Sequence, residues 1–204
     1  MGKLNDYKIA FMGQTGRGKS SIMNALFDTK FEIDSVKECT TWINSSTFYN
    51  RDVTIPYEAY TIMDTPGIGA STDKDEWYKP YYLHVLDTAD CIVWVTNMLR
   101  RDRLDQEFFV KYKESLRPEI RFIICVNQID ILSPKDLSDG EHVWDFNNNR
   151  PTPILEEFLY GKDGRIPLVK EKLAKYLPVD CPIIPVNGFY KYGLEELKRL
   201  IFAQ

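Results

Sequence analysis

The sequence predicts an α/β fold with a mostly parallel central sheet and helices on both faces. Short apolar runs of strand type alternate with segments of helical spacing along the chain. A glycine-rich loop, GQTGRGKS at 13–20, joins such a run to a helical segment. Two further polar motifs follow the ends of apolar runs, where open α/β sheets bind their ligands. These three observations lead to one fold class.

The predicted elements can be justified in chain order. YKIAFM, AYTIM, CIVWVT and IRFIICV are apolar runs of strand length and composition. Strands are therefore expected at 7–12, 42–49, 59–63, 91–96, 120–126 and 182–186, and helices at 20–27, 105–116 and 193–202. The last helix has Leu194, Leu197 and Ile201 on one face, as expected for a helix that covers the sheet. We expect one domain over 1–204 with an inserted loop at about 133–153.

Composition limits the possible partners and compartments. The net charge of −4 gives no sequence-independent attraction to nucleic acid, so no direct nucleic-acid binding is expected. No apolar run is long enough for a membrane span, and the N-terminus has no signal-peptide core. The four cysteines are scattered without metal-binding spacing, and such thiols suit a cytoplasmic protein.

The first motif, Gly13-x4-Gly18-Lys19-Ser20, matches the phosphate-binding P-loop pattern. Its glycines let backbone N–H groups turn toward phosphate oxygens, and the helix that follows adds its positive end. Lys19 is expected to reach the β- and γ-phosphates, and the Ser20 hydroxyl to bind Mg²⁺. Further contacts with the nucleotide are expected from Thr15, Gly16, Arg17 and Ser21. The alternative is a glycine turn with an incidental lysine.

Arg17 occupies a variable position of this pattern. It is either a cation placed over the phosphates or, as we favour, a solvated side chain.

The second motif, Asp64-Thr65-Pro66-Gly67, leaves the end of the strand predicted at 59–63. Asp64 is expected to hold Mg²⁺ beside Ser20. Gly67 is expected to bring its N–H close to the γ-phosphate, because no side chain intervenes. Taken alone, the motif is an ordinary turn.

Two threonines lie between the first two motifs, at the end of a polar segment. A threonine there can complete the Mg²⁺ shell only while a γ-phosphate is present, and its release lets the segment relax. We favour Thr40 over Thr41 for this role. Alternatively, both residues only open the next strand.

The third motif, Asn127-Gln128-Ile129-Asp130, follows the apolar run at 120–126. The carboxylate of Asp130 can accept from the N1–H and the 2-amino group of guanine, and adenine offers neither donor. Asn127 is expected to tie this loop to the P-loop. Gln128 replaces the lysine common in this motif and is expected to lie on the base without a charge. Backbone N–H groups of Val186 and Asn187 are the expected partners of the guanine O6 atom.

These motifs resemble those of small GTPase-type G domains, in particular the Era/TrmE/septin branch and the bacterial prophage-type and immunity-related (IRG-like) GTPases. GQTGRGKSSIMNALF, ECTT, DTPGIG and NQID carry the likeness. The resemblance implies a three-layer Ras-like P-loop NTPase fold, Mg²⁺-dependent binding of GTP and GDP, and slow GTP hydrolysis. Ras-like proteins carry a water-positioning glutamine after the glycine of the second motif, whereas this chain has Ile68. No catalytic base is therefore assigned.

For the transition state and the attacking water, the candidates are Lys19 and Thr40, with K⁺ as a further candidate ion. The leading interpretation is a guanine-nucleotide switch stimulated by a partner protein or by self-association across the nucleotide face. The alternative is a nucleotide-binding interaction module with negligible hydrolysis. An ATP-dependent kinase or ATPase is disfavoured by Asp130.

Two segments keep two interpretations each. The loop at 133–153 either covers the nucleotide or meets a partner, or it is a decoration packed by Trp144 and Phe146. The aromatic run at 77–82 either forms a contact surface beside the γ-phosphate loop or buries one face of a helix.

Overall fold

A six-stranded sheet forms the centre of the fold. A computed structural model describes residues 6–32, 41–50, 55–69, 72–97, 102–132, 134, 137–138, 140–174, 176–177 and 181–203. Its strands are β1 (Asp6–Gly13), β2 (Asn44–Tyr49), β3 (Ala59–Asp64), β4 (Cys91–Thr96), β5 (Arg121–Val126), β6 (Trp144–Asp145), β7 (Arg150–Pro151) and β8 (Ile183–Pro185). Its helices are α1 (Lys19–Phe27), α2 (Thr72–Thr88), α3 (Asp102–Tyr112), α4 (Pro153–Tyr160), α5 (Arg165–Ala174) and α6 (Leu194–Phe202).

The strand order in the main sheet is β2-β3-β1-β4-β5-β8, while β6 and β7 form a separate antiparallel hairpin. Within the main sheet β2 pairs antiparallel with β3, and the other pairs are parallel. Parallel neighbours need crossover connections, which the helices supply. The carboxyl ends of β1, β3, β4, β5 and β8 therefore meet at one edge of the sheet.

Helices cover both faces of the sheet. Alternate residues of β1 point to opposite sides, since Ile9 belongs to one buried cluster and Met12 to the other. On the first side α1 and α6 contribute Ile22 and Leu197. On the other side the helices pack around the buried Trp94 of β4. The predicted three-layer α/β fold is therefore confirmed. None of the described helices is long and apolar enough to cross a bilayer.

Most element boundaries lie within two residues of the sequence predictions, the larger differences are at α3 and in the predicted loop, and helices α2, α4 and α5 were not predicted. Helix α3 begins at Asp102 rather than 105 and ends at Tyr112, where a 3-10 turn, Lys113–Ser115, takes over. Its first turn carries the exposed Arg103, so apolar periodicity could not reveal it. The loop predicted at 133–153 contains the β6–β7 hairpin in its described part, and α4 begins at Pro153.

Candidate functional site

The P-loop connects β1 to α1 at the edge of the sheet where the strands end. Gly13 permits close packing against β4, because a Cβ there would lie 2.2 Å from the carbonyl oxygen of Val95. Gly18 has a φ of 81° and precedes α1 without a capping side-chain hydrogen bond. Lys19 is buried, and its Nζ donates to the carbonyl oxygens of Gly13 and Gln14 at 3.3 and 3.2 Å. The loop thus encloses an ammonium group beside an uncapped helix start.

Ser20 in the first turn of α1 lies beside Asp64 at the end of β3. The Ser20 hydroxyl donates a 2.7 Å hydrogen bond to Asp64 Oδ2, and Asp64 is fully buried. Both groups offer the hard oxygen ligands that Mg²⁺ prefers, and Mg²⁺ usually takes only one or two protein ligands beside phosphate and water. Among the described residues, no group of three His, Cys, Asp or Glu side chains could hold a metal alone. The pair therefore fits a magnesium site that a nucleotide completes.

The predicted threonine ligand cannot be placed. Thr40 lies outside the described residues, and Thr41, the first residue after that gap, is half-buried. The preference for Thr40 over Thr41 therefore stays a prediction.

The loop after β3 is joined to the P-loop by two backbone hydrogen bonds. Thr15 N–H donates to the Ile68 carbonyl oxygen, and Ile68 N–H donates to that of Gly13, each at 3.1 Å. Gly67 fits because a Cβ there would lie 2.3 Å from Thr15 Oγ1. The Ile68 side chain is buried in the cluster that contains Tyr82 of α2. It therefore packs in the core beneath the loop.

The predicted tie between the base loop and the P-loop is confirmed. Asn127 Nδ2 donates to the Arg17 carbonyl oxygen at 2.8 Å, and Asn127 Oδ1 accepts from Gly188 N–H at 3.0 Å. A Cβ on Gly18 would lie 2.5 Å from the same Nδ2 atom. One buried side chain thus links three loops.

Asp130 is held by an amide from the loop after β8. Asn187 Nδ2 donates to Asp130 Oδ1 at 2.6 Å, while Asn187 Oδ1 accepts from the N–H groups of Phe189 and Tyr190 at 3.0 Å each. Asn187 is buried and is itself fixed by the turn that it caps. The Asp130 carboxylate is therefore held in one orientation.

Gln128 lies against the P-loop. It has a φ of 60°, its Nε2 donates to the Gly16 carbonyl oxygen at 3.3 Å, and its Oε1 accepts from Asn97 Nδ2 at 2.8 Å. Its side chain thus bridges the loop after β4 and the phosphate loop.

The assignment of guanine O6 to the backbone of Val186 and Asn187 needs correction. Val186 N–H donates to the Val126 carbonyl oxygen in extension of the sheet, and Asn187 N–H donates to that of Tyr192. Both N–H groups are used in hydrogen bonds within the fold. Asn187 therefore offers the site its side-chain amide, and Val186 packs in the core. The remaining predicted residue, Ser21, lies in the first turn of α1 and is half-buried.

Sequence reasoning missed Asp105. Its buried carboxylate accepts from Gln14 Nε2 and from the Thr96 hydroxyl, each at 3.0 Å. Burial raises the pKa of Asp105 to about 6, and the Gln14 and Thr96 hydrogen bonds oppose that rise. The half-buried Arg17, favoured above as solvated, donates to Gln14 Oε1 at 3.1 Å and so belongs to the same network.

A signal for Asp105 was present in the sequence. It lies three, four and seven positions before Phe108, Phe109 and Tyr112, which are all buried. This spacing places a carboxylate on the apolar face of α3, where an acid needs hydrogen-bonding partners.

The β6–β7 hairpin packs on the loop that follows Asn187. The ring of the buried Trp144 stacks on Tyr190 with centroids 5.2 Å apart and meets Tyr192 edge-on at 5.6 Å. Phe146, in contrast, is 65% exposed. Trp144 is therefore packed as that interpretation requires, whereas Phe146 stays mostly exposed and only meets Tyr190 edge-on, with centroids 5.9 Å apart.

The aromatic run at 77–82 contains both buried and exposed side chains. Tyr78 and Tyr82 are buried, whereas Trp77 is 62% exposed on α2. The run therefore both fills the core and leaves one indole on the surface.

The sheet order, the P-loop, the Ser20–Asp64 pair and the base loop at one sheet edge define a Ras-like P-loop GTPase. More narrowly, the chain belongs to the 50S ribosome-binding GTPase family, whose model matches residues 8–128. It is accordingly a GTPase.

Relatives in two bacteria share this sequence pattern. The GTPase Era of Campylobacter lari is 27% identical over 173 residues, which are 83% of this chain and 56% of Era. The uncharacterized protein YfjP of Escherichia coli is 32% identical over 124 residues, which are 57% of this chain and 40% of YfjP. The chain thus spans about half the length of the curated relatives it matches.

Solved structures share the fold. Era in complex with MgGDPNP and nucleotides 1506–1542 of 16S ribosomal RNA has a TM-score of 0.66 at 20% identity, covering 98% of this chain and 56% of that chain. NFeoB from S. thermophilus bound to GDP.AlF4⁻ and K⁺ has a TM-score of 0.58 at 16% identity, covering 95% of this chain and 60% of that chain. Because that Era carries ribosomal RNA, the fold does not exclude nucleic-acid contact, and the comparisons oppose our expectation of none.

Proposed function

We propose that this chain is a guanine-nucleotide switch that binds GTP or GDP with Mg²⁺ and hydrolyses GTP slowly. The observation that carries the proposal is the position of Asn127. Its side chain bonds to the Arg17 carbonyl oxygen of the phosphate loop and to Gly188 N–H of the guanine side. A ligand with phosphates at one end and a base at the other matches this arrangement.

Each part of the ligand has its own protein groups in this proposal. The P-loop backbone and Lys19 take the phosphates, and Asp130 takes the N1–H and 2-amino group of guanine. The other nucleotide contacts come from Gly13, Thr15, Gly16, Arg17, Gly18, Ser20, Ser21, Gly67, Asn127, Gln128 and Asn187.

Ser20 and Asp64 hold Mg²⁺, and Thr40 joins them while the γ-phosphate is present. The ion, when bound, neutralises charge that develops on the phosphates. Support for Mg²⁺ comes from the 2.7 Å contact of the two oxygen ligands and from the MgGDPNP in the Era structure.

The slow rate is proposed from the position of Ile68. Its side chain is buried in the α2 and α3 cluster, so it places no polar group beside the attacking water. A partner protein or a second copy across the nucleotide face would then raise the rate. K⁺ is a candidate stimulating ion, supported by its presence in the NFeoB structure.

Single-turnover GTP hydrolysis tests this proposal, measured in K⁺ and in matched Na⁺ buffer over a range of protein concentrations. We expect a slow rate that lies above that of GTP alone and rises with K⁺ or with protein concentration. Asp64→Asn, which removes a proposed Mg²⁺ ligand, is the matched inactive control. A wild-type rate equal to that of GTP in buffer would overturn the slow-switch proposal.

The second candidate function is a nucleotide-binding interaction module with negligible hydrolysis. Burial of Ile68 favours it, whereas the intact Lys19, Ser20 and Asp64 oppose it. The two functions differ in how long a partner stays bound after the protein is loaded with GTP. The module would keep its partner for many hours, whereas the switch would lose it as GTP is converted to GDP.

We also propose that 1–204 acts as a single G domain in the cytoplasm. Free Cys91 and Cys125 are buried, and burial raises the pKa of the Cys91 thiol to about 12, which suits unreactive thiols in a reducing compartment.

A further inference from the structure

A buried hydroxyl lies between the phosphate loop and the loop that carries Gly67. Thr15 Oγ1 is shielded from solvent and has no hydrogen-bond partner within the described part of the chain. A methyl group on Gly67 would lie 2.3 Å from this oxygen, so the hydroxyl faces the Gly67 α-carbon. A buried hydroxyl without a partner is costly, and in native proteins such a group usually has a partner that is not part of the chain.

The backbone fixes this hydroxyl in place. Thr15 N–H donates to the Ile68 carbonyl oxygen and Ile68 N–H donates to that of Gly13, so the two loops are joined on either side of the side chain. A β-branched side chain on a fixed backbone has little freedom at χ1. The oxygen is therefore preorganised, as a group that stabilises a transition state should be.

Two described side chains near this hydroxyl, those of Ile68 and Lys19, have other environments. Ile68 is apolar and packs in the core cluster. The Lys19 ammonium donates to the carbonyl oxygens of Gly13 and Gln14. Beside Gly67, whose N–H we assign to the γ-phosphate, Thr15 thus supplies a fixed polar side chain.

We propose that Thr15 is a catalytic residue whose hydroxyl donates a hydrogen bond to a γ-phosphoryl oxygen during GTP hydrolysis. Water attacks the γ-phosphorus, and the bond from that phosphorus to the β–γ bridging oxygen breaks with its electron pair left on GDP. One proton of the water stays on the phosphate product and the other is released. The hydroxyl is not consumed. This inference rests on the proposed function, because it needs GTP in the P-loop.

Thr15→Val and Thr15→Ser test the assignment. Valine keeps the shape and removes the hydroxyl, whereas serine keeps the hydroxyl. For valine we expect the single-turnover rate to fall about 100- to 1,000-fold, the typical cost of losing one transition-state donor. GDP affinity should change by less than about twofold, because GDP has no γ-phosphoryl group. Serine should restore most of the rate, and Thr88→Val at the C-terminal end of α2 should leave it unchanged.

Two further readouts separate catalysis from packing. Thr15→Val should weaken formation of the GDP–aluminium fluoride complex, which mimics the transferring phosphoryl group, and should raise the melting temperature because the unpaired hydroxyl is gone. A purely structural threonine predicts a stabilised protein with an unchanged rate. If valine does not fold, Thr15→Ala is measured in the same way.

The outcomes are distinct. A wild-type rate with Thr15→Val, or an equal loss of GDP and GTP affinity, contradicts the role of Thr15 while leaving the switch intact. No hydrolysis by the wild type contradicts the proposed switch itself, and aluminium fluoride binding then still reports on Thr15.

Discussion

Asn187 donates a 2.6 Å hydrogen bond from its side-chain amide to Asp130 Oδ1. The Oδ1 atom of the same Asn187 amide accepts from the N–H groups of Phe189 and Tyr190. A single amide therefore orients the carboxylate that we propose to read guanine, and it closes the turn beside it. Two predictions about base recognition follow from this contact.

Asn187→Asp should weaken guanine-nucleotide binding. The new carboxylate keeps an acceptor for Phe189 and Tyr190 N–H but loses the donor and places a like charge beside Asp130. Loss of a hydrogen bond to a charged group costs about 1.5–3 kcal/mol, or roughly 10- to 100-fold in the dissociation constant. Titration with fluorescent GDP measures the dissociation constant. Asn148→Asp in the exposed hairpin is the control, because it adds the same charge away from Asp130. An equal loss of GDP affinity in this control would show that the effect comes from net charge and not from the Asn187–Asp130 contact.

Asp130→Asn should exchange guanine for xanthine preference. The Asn187 amide can still donate to the asparagine carbonyl, which turns the new amide toward the base as a donor. We expect GTP to bind about 100-fold more weakly and xanthosine triphosphate more tightly than in the wild type. Competition against labelled GDP gives both constants. Equal displacement of GDP by ATP and GTP in the wild type would contradict the guanine assignment.

Ile68→Gln should not create a faster enzyme. The Ile68 side chain is buried against α2, so a glutamine placed there has to bury its amide or displace the loop. We expect a loss of about 1–3 kcal/mol in the free energy of unfolding and a hydrolysis rate within about twofold of the wild type. Urea unfolding and single-turnover kinetics measure the two quantities. Ile68→Leu is the volume-matched control, and a large rate gain with glutamine would show that the loop reorients.

Asp105 should make stability depend on pH. Its pKa is raised to about 6 in the folded protein from an ordinary 3.8, so the folded state holds the proton more tightly than the unfolded state. Stability should therefore increase as the pH falls from about 6 toward 3.8, and ionisation should cost on the order of 3 kcal/mol at neutral pH.

Unfolding free energies at pH 7.5 and pH 5 measure this contribution in the wild type and in Asp105→Asn. We expect the variant to gain less stability on acidification than the wild type does. Glu107→Gln, on the exposed side of the same helix, should keep the wild-type difference. Identical pH profiles for the wild type and Asp105→Asn would contradict a raised pKa.

The phosphate loop could be located from sequence because its chemistry is local. The glycine spacing, Lys19 and Ser20 all lie within eight consecutive residues. Asp64 comes to lie beside them because β3, which it ends, pairs in parallel with β1, the strand that leads into this loop. The contacts of Gln14 with Asp105 and of Asn187 with Asp130 join residues 91 and 57 positions apart. Such pairings depend on the packing of α3 and of the loop after β8, and periodicity does not specify packing.

The backbone N–H of Val186 is a second feature that the sequence pattern could not specify. The position of Val186 at the end of the apolar run 182–186 indicated a base-binding loop, but its N–H is already paired with the Val126 carbonyl oxygen. The hydrogen bonding of the sheet continues past β8, which ends at Pro185, and it uses the donor that the sequence pattern assigned to the ligand.

The Asn127 side chain makes the phosphate loop and the base loop mechanically dependent on each other. The β6–β7 hairpin packs on the same base-side loop through the buried Trp144, whose ring stacks on Tyr190. A displacement of that hairpin would be transmitted through the hydrogen bonds that Asn127 makes with Gly188 and with the Arg17 carbonyl oxygen. We therefore expect that a partner bound at the guanine end could promote nucleotide release without any contact at the phosphates.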